Sequence, residues 1–158
     1  MVDEFLDYLK YERHSSPLTV SSYGKDLASF EAFFKDLDEH LTWQTVDSDI
    51  VRDWMEHQMD SGNIATSVNR RLSALRSLFR FALSRRLIEK DPVHALTGPK
   101  KSKPIPSFLK EKEMDDLLDG MSMLTSYKDV LARTMIMTFY ETGMRLAELR
   151  GLRDKDVD

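Results

Sequence analysis

Residues able to do chemistry gather in two places along this chain. The first is a run of Thr66, Asn69, Ser73, Arg76 and Arg80, which brings hydroxyl, amide and guanidinium groups together without an acid. Steps of three and four residues put them in one band of a helix. Arginine and asparagine present paired donors suited to base edges, and arginine, serine and threonine suit phosphate oxygens. Arg70, which adjoins the band, belongs to the same candidate set. The alternative is an ordinary solvated face, but such faces usually mix both charge signs. The second place is Thr142-Gly143-Met144-Arg145-Leu146-Ala147-Glu148-Leu149. Gly143 permits a sharp turn, after which Arg145 falls in the first turn of a helix, where the macrodipole disfavours a cation. Two readings are open: an anion site at Arg145, or an exposed Arg145–Glu148 pair worth only about 0.2–0.5 kcal/mol.

The distribution of charge favours a polyanionic partner. The net charge is −4, but residues 1–63 carry −9, residues 64–103 carry +8 and residues 104–158 carry −3. A basic segment hidden in an acidic average points to nucleic acid. With no cysteine and four scattered histidines (His14, His40, His57, His94), neither disulfides nor a usual zinc site is expected, so no metal is assigned. No Gly-rich nucleotide loop is present and no nucleotide or other cofactor is expected. The N-terminus lacks a signal-peptide pattern, and the longest apolar run is about eleven residues, short of the ~20 that span a bilayer. No membrane partner is expected, and a reducing cytoplasm is the expected compartment.

Hydrophobic periodicity predicts the elements that hold these residues. Residues 2–13 read as a short helix with Phe5, Leu6, Tyr8 and Leu9 inward. Ser16-Pro17 is a cap and first-turn pair for a second helix with Val20, Tyr23, Leu27, Phe30, Phe34 and Leu37 on its apolar seam. A third helix spans about Asp47 to Asp60, with Val46, Ile50, Val51, Trp54 and Met55 inward. The fourth, about Ala65 to Arg85, has Val68, Leu72, Leu75, Phe79 and Ala82 within about 80° of arc. Four amphipathic helices with short connections make a bundle over residues 1–98. Residues 99–106 are rich in proline and lysine and cannot be helix or central strand. They read as an extended basic linker in which Lys100, Lys101 and Lys103 either track phosphates or are merely solvated. Residues 107–158 begin with a charged helix over Lys110–Asp119. A helix over 127–140 follows, apolar nearly all round, which needs more cover than about fifty residues provide.

Four stretches in order resemble the tyrosine recombinases, or phage integrases, with Xer-like members nearest. Thr19-Val20-Ser21-Ser22-Tyr23-Gly24-Lys25-Asp26-Leu27 is similar to the Thr-x-x-x-Tyr-x-x-Asp-Leu element of their first domain. Asn69 to Phe79 resembles its DNA-contacting helix. Asp91-Pro92 and the Pro-Lys linker resemble the family's Asn-Pro and interdomain strap, with Asp in place of Asn. Tyr140 to Leu149 resembles the box around the first catalytic arginine. The resemblance implies an all-α piece: a four-helix SAM-like core-binding bundle, an extended linker, and the first helices of a mixed α/β catalytic domain. It also implies a clamp on double-stranded DNA, cleavage by a tyrosine through a 3′-phosphotyrosyl link without metal or nucleotide, and four protomers on two DNA sites. Arg145 is then a ligand of the scissile phosphate, and Glu148 its support.

The departures are equally specific. All five tyrosines precede Arg145, no His-x-x-Arg occurs, and the chain ends thirteen residues past Arg145. No nucleophilic tyrosine is therefore expected in this chain, which reads as an N-terminal part that is inactive alone. A naturally truncated DNA-binding regulator of recombination and a helical interaction protein stand as alternatives.

Overall fold

The computed structural model describes residues 1–102, 105, 107–122 and 126–156, so the expected linker residue Lys103 lies outside the described residues. The chain divides into two compact units, Met1–Lys103 and Pro104–Asp158. Among the described residues there is no strand.

The first unit is built from α1 (Val2–Asp7), α2 (Pro17–Leu37), α3 (Ser48–Asp60) and α4 (Ala65–Ser84). The first helix does not run unbroken to residue 13 as its periodicity suggests. It passes at Tyr8 into a π-helical turn, Tyr8–Glu12, closed by Arg13 N–H donating to Tyr8 O at 2.9 Å. The wider turn keeps Leu9 in the core while the Tyr8 ring packs tilted on Phe81, ring centroids 4.9 Å apart. Local signals set the other boundaries. Ser16 Oγ accepts from Thr19 N–H at 3.2 Å with Pro17 at the first helical position. Asp47 Oδ1 accepts from Asp49 and Ile50 N–H at 2.9 and 3.0 Å. Each satisfies amides that a helix start leaves without partners.

α4 lies at the centre of the unit. Val68, Leu72, Ala74, Leu75, Leu78, Phe79, Phe81 and Ala82 are all buried, so its apolar arc is wider than the five-residue stripe seen in the sequence. Phe5 and Leu9 of α1, Leu27, Phe30 and Phe34 of α2, and Val51, Trp54 and Met55 of α3 complete the core. Burying each large side chain of this kind contributes about 1.5–3 kcal/mol. Trp43, in the α2–α3 connection, enters edge-on to Phe34 at 5.3 Å and donates its indole N–H to Glu31 at 3.0 Å. Leu37, expected on the inner seam of α2, is exposed, because the helix ends there and Asp38 turns extended.

After α4 the chain returns across the bundle, burying Val93 and Leu96. Asp91 Oδ1 accepts from Val93 N–H at 2.9 Å, an acceptor role that an asparagine would also fill. The return segment is then held directly to α4. Arg76 Nη2 donates to Leu96 O at 2.6 Å, and Asn69 Nδ2 donates to Pro99 O at 2.8 Å.

The second unit contains α5 (Glu111–Ser122), α6 (Tyr127–Thr142), α7 (Leu146–Gly151) and a 3₁₀ turn, Asp154–Asp156. At the start of α5, where serine or threonine is usual, Lys110 N–H instead donates to the Glu113 carboxylate at 2.8 Å. Arg133 of α6 donates to Leu118 O of α5 at 3.2 Å, and Met114 of α5 is buried. None of the described residues of α6 is buried. Val130, Leu131, Met135 and Tyr140 all remain exposed, because α5 covers only one side of a helix that is apolar nearly all round.

The contact between the return segment and α4 leaves no room at Gly98. A Cβ there would sit 2.3 Å from Asn69 Oδ1 and 3.2 Å from Leu72 Cδ2. Gly98→Ala is expected to destabilise the first unit by about 1–3 kcal/mol, the usual effect of overpacking, measured by urea denaturation. An unchanged midpoint would show that the return segment is not seated on α4.

Candidate nucleic-acid interface

The polar band of α4 resolves into sectors with different partners. On the side facing α2, Arg70 donates from both terminal nitrogens to the Asp26 carboxylate, the Nη2–Oδ1 distance being 2.8 Å, and also reaches Ser22 Oγ at 3.0 Å. Asp26 is only 5% exposed. Arg71 Nε lies 3.9 Å from the same carboxylate, and its Nη1 donates to Gln58 of α3. A buried carboxylate requires such partners, because desolvation without compensation costs several kcal/mol. The hydrogen bond to Asp26, opposed by partial burial and reinforced by the Asp26 charge, raises the Arg70 pKa above its ordinary value. Arg70 therefore stays cationic throughout the physiological range.

On the side facing the return segment, Asn69 donates to Ala65 O at 2.7 Å as well as to Pro99 O, and Arg76 is bound to Leu96 O. Between these sectors an outward strip runs through Thr66, Ser73, Ser77, Arg80 and Ser84. Ser73 donates back to Asn69 O at 2.9 Å and Ser84 to Phe81 O at 2.7 Å. Among the described residues, Thr66 and Arg80 have no side-chain partner, and the same holds for exposed Lys100 and Lys101. The candidate set is therefore brought to one helix and the segment beside it. Asn69, Arg70, Ser73 and Arg76 have intramolecular partners, whereas Thr66, Arg80, Lys100 and Lys101 are open to a ligand.

Sequence reasoning missed Asp26 as the anchor of this arrangement. The signal was present: Asp26 follows Tyr23 by three residues and precedes Phe30 by four, which places an acid on the apolar face of α2.

In the second unit, Gly143 adopts φ +65 and ends α6, with its N–H donating to Phe139 O at 2.9 Å. Arg145 was expected inside the first turn of the next helix. It lies instead at the N-cap of α7, in extended geometry, with φ −81 and ψ 155. The reason is Glu148, which accepts from Arg145 N–H at 2.6 Å and from Nη1 at 3.1 Å, so the helix begins at Leu146. The Arg145 side chain is 85% exposed, and the guanidinium is held at one edge only.

Residues 2–86 match the family model described as phage integrase, N-terminal SAM-like domain. The chain belongs to that family. This integrase-family chain is 31% identical over its full length to tyrosine recombinase XerC of Pediococcus pentosaceus, covering 52% of that protein. It is 30% identical over 99% of its length to tyrosine recombinase XerD of Oceanobacillus iheyensis, again covering 52%. A XerC from Lactobacillus delbrueckii subsp. bulgaricus is 33% identical over 99% of the chain and 52% of the relative. The chain thus spans about half the length of the curated relatives it matches. No solved structure matches it. Among the described residues, no helix is long and apolar enough to cross a membrane, and no group of His, Asp or Glu residues could hold a metal ion.

Asp26→Asn keeps the shape of the side chain but removes the charge that Arg70 and Arg71 share. Because Arg70 is half exposed, the expected loss is about 1–2 kcal/mol, below the 3–5 typical of fully buried pairs. A double-mutant cycle with Arg70→Met should give a coupling above about 0.5 kcal/mol. Strict additivity would show that the pair does not fix α4 to α2.

Proposed function

We propose that this chain is the DNA-gripping N-terminal part of a site-specific tyrosine recombinase. The observation that carries this reading is its similarity, along its whole length, to proteins named tyrosine recombinases XerC and XerD. Residues 1–98 form the core-binding bundle, residues 99–106 a basic linker along the duplex, and residues 107–158 the opening of a mixed α/β catalytic domain. The strip of α4 faces double-stranded DNA. Thr66 and Arg80 contact it directly, while Asn69, Arg70, Ser73 and Arg76 hold that surface in place. Lys100, Lys101 and Lys103 neutralise backbone phosphates beside it. Such contacts position a protein on the duplex without themselves reading sequence.

Arg145 is the ligand of the scissile phosphate, neutralising charge on its non-bridging oxygens, and Glu148 sets its orientation. Preorganised donors of this kind are typically worth about 10²–10³-fold in rate. The tyrosine that attacks the phosphate and carries the 3′-phosphotyrosyl link is not among the residues of this chain. The whole protein acts in the cytoplasm as a tetramer on paired sites, with no metal or nucleotide.

Two measurements test this reading. Affinity for a mixed-sequence duplex should fall steeply with salt, each phosphate contact adding about 0.9 to the log–log slope. Lys100→Ala with Lys101→Ala should lower that slope by up to roughly 2, and Arg145→Ala should leave binding by this chain unchanged. Undetectable binding at low salt, or binding indifferent to salt, would favour a helical interaction protein. With a suicide DNA substrate the chain should form no covalent adduct, and an adduct would overturn the assignment of the nucleophile.

A further inference from the structure

A cleft of about 290 Å³ lies between the end of the first helix and the outer side of α4, bounded by Phe5, Tyr8, Arg13, Ser77, Arg80 and Phe81 among others. Its two cations come from places 67 positions apart in sequence, so neither composition nor the wheel of α4 links them. Neither the Arg13 nor the Arg80 guanidinium has an ion-pair or hydrogen-bond partner among the described residues. No carboxylate lines the cleft. The neighbouring acid, Glu12, is already paired with Arg85 at 2.7 Å, and that guanidinium also lies over the Phe81 ring at 5.6 Å. Two uncompensated positive charges thus share a recess with aromatic side chains, where an apolar wall strengthens attraction for an anion.

The backbone at this point is also unusual. Arg13 directly follows the π-helical turn Tyr8–Glu12, a rare geometry that is frequent at functional sites. The next residue, His14, has φ 49, a left-handed conformation that non-glycine residues adopt at a cost. The chain therefore departs twice from helical geometry around the residue that supplies the cleft's second cation.

We propose that this cleft is a backbone-phosphate site for duplex DNA, with Arg13 and Arg80 as its cationic walls and Ser77 as a hydroxyl donor. It extends the DNA footprint from α4 onto the N-terminal helix, which none of the candidates drawn from the basic middle segment reaches. The site rests on the DNA-binding reading above, but it can fail separately.

The test is the salt dependence of binding to a mixed-sequence duplex, measured by fluorescence anisotropy on the whole chain. Arg13→Ala and Arg80→Ala should each reduce the log–log slope by about 0.9 and weaken binding alike for unrelated sequences. Arg13→Lys and Arg80→Lys should restore most of the slope, because a phosphate contact needs charge more than fork geometry. Arg52→Ala, which removes a surface cation paired with Asp49 on α3, should leave the slope unchanged. Both side chains are partnerless, so circular dichroism and thermal unfolding should match the parent chain for all of these variants. A normal parental slope with no change in Arg13→Ala would remove the cleft while leaving the DNA-binding reading intact. An equal loss in Arg52→Ala would remove it too, since the effect would then be one of net charge. A parental slope near zero would remove both.

Discussion

The arrangement of the first unit depends on a single buried carboxylate. Asp26 sits on the apolar face of α2, where an isolated charge cannot be tolerated, and among the described residues the guanidinium of Arg70, with Arg71 nearby, compensates it. Hydrophobic packing alone would bring α2 and α4 together but would specify their mutual rotation weakly, because apolar contacts are non-directional. A two-pronged arginine–carboxylate contact is directional. By fixing Arg70 toward α2, it fixes which residues of α4 look outward. The outward strip is therefore a consequence of the lock.

This gives α4 three separate duties around its circumference. Its broad apolar arc, from Val68 to Ala82, forms the middle of the core. One polar flank grips α2 and α3 through Arg70 and Arg71, and the other grips the returning chain through Asn69 and Arg76. The second flank matters for the reach of the protein. The extended basic segment does not leave the bundle at an arbitrary point, because Pro99 is hydrogen-bonded to Asn69 and Gly98 has space for no side chain. Lys100 and Lys101 therefore start from a defined place beside the outward strip, and the helix that presents Arg80 also sets the origin of the lysines.

The periodicity of the sequence made the four helices of the bundle legible, and the boundaries of α2, α3 and α4 to within a residue or two, because caps such as Ser16 and Asp47 act locally. Trp43 and Val93 were not legible as core. They lie in connections without a period, and only the closed bundle brings Trp43 against Phe34 and buries Val93 in the same core cluster. The π turn at Tyr8–Glu12 escaped for a similar reason, since its cause is the packing of Tyr8 on Phe81 rather than a local breaker. The helical wheel put the candidate residues on one side of α4, but the division of that band among different partners was hidden. Whether Asn69 faces solvent or a backbone carbonyl depends on where residues 96–99 return, and a helical wheel carries no information about another segment.

The same distinction between local and tertiary constraint explains the state of Arg145. Among the described residues, everything that holds it lies within the six residues Gly143 to Glu148: the left-handed Gly143, the extended N-cap geometry and the carboxylate of Glu148. These contacts set the direction of the backbone but not the guanidinium, which has one exposed partner and one free edge. An exposed i,i+3 pair is worth only about 0.2–0.5 kcal/mol, so an anion that offers two charge-assisted hydrogen bonds, each worth about 1.5–3 kcal/mol, can displace or share it at small cost. Glu148 then still bonds the Arg145 backbone N–H at the cap and keeps the residue at the helix start. The cap and the ion pair are therefore separable: one sets where the arginine stands at the helix start, and the other partners its charge at the surface.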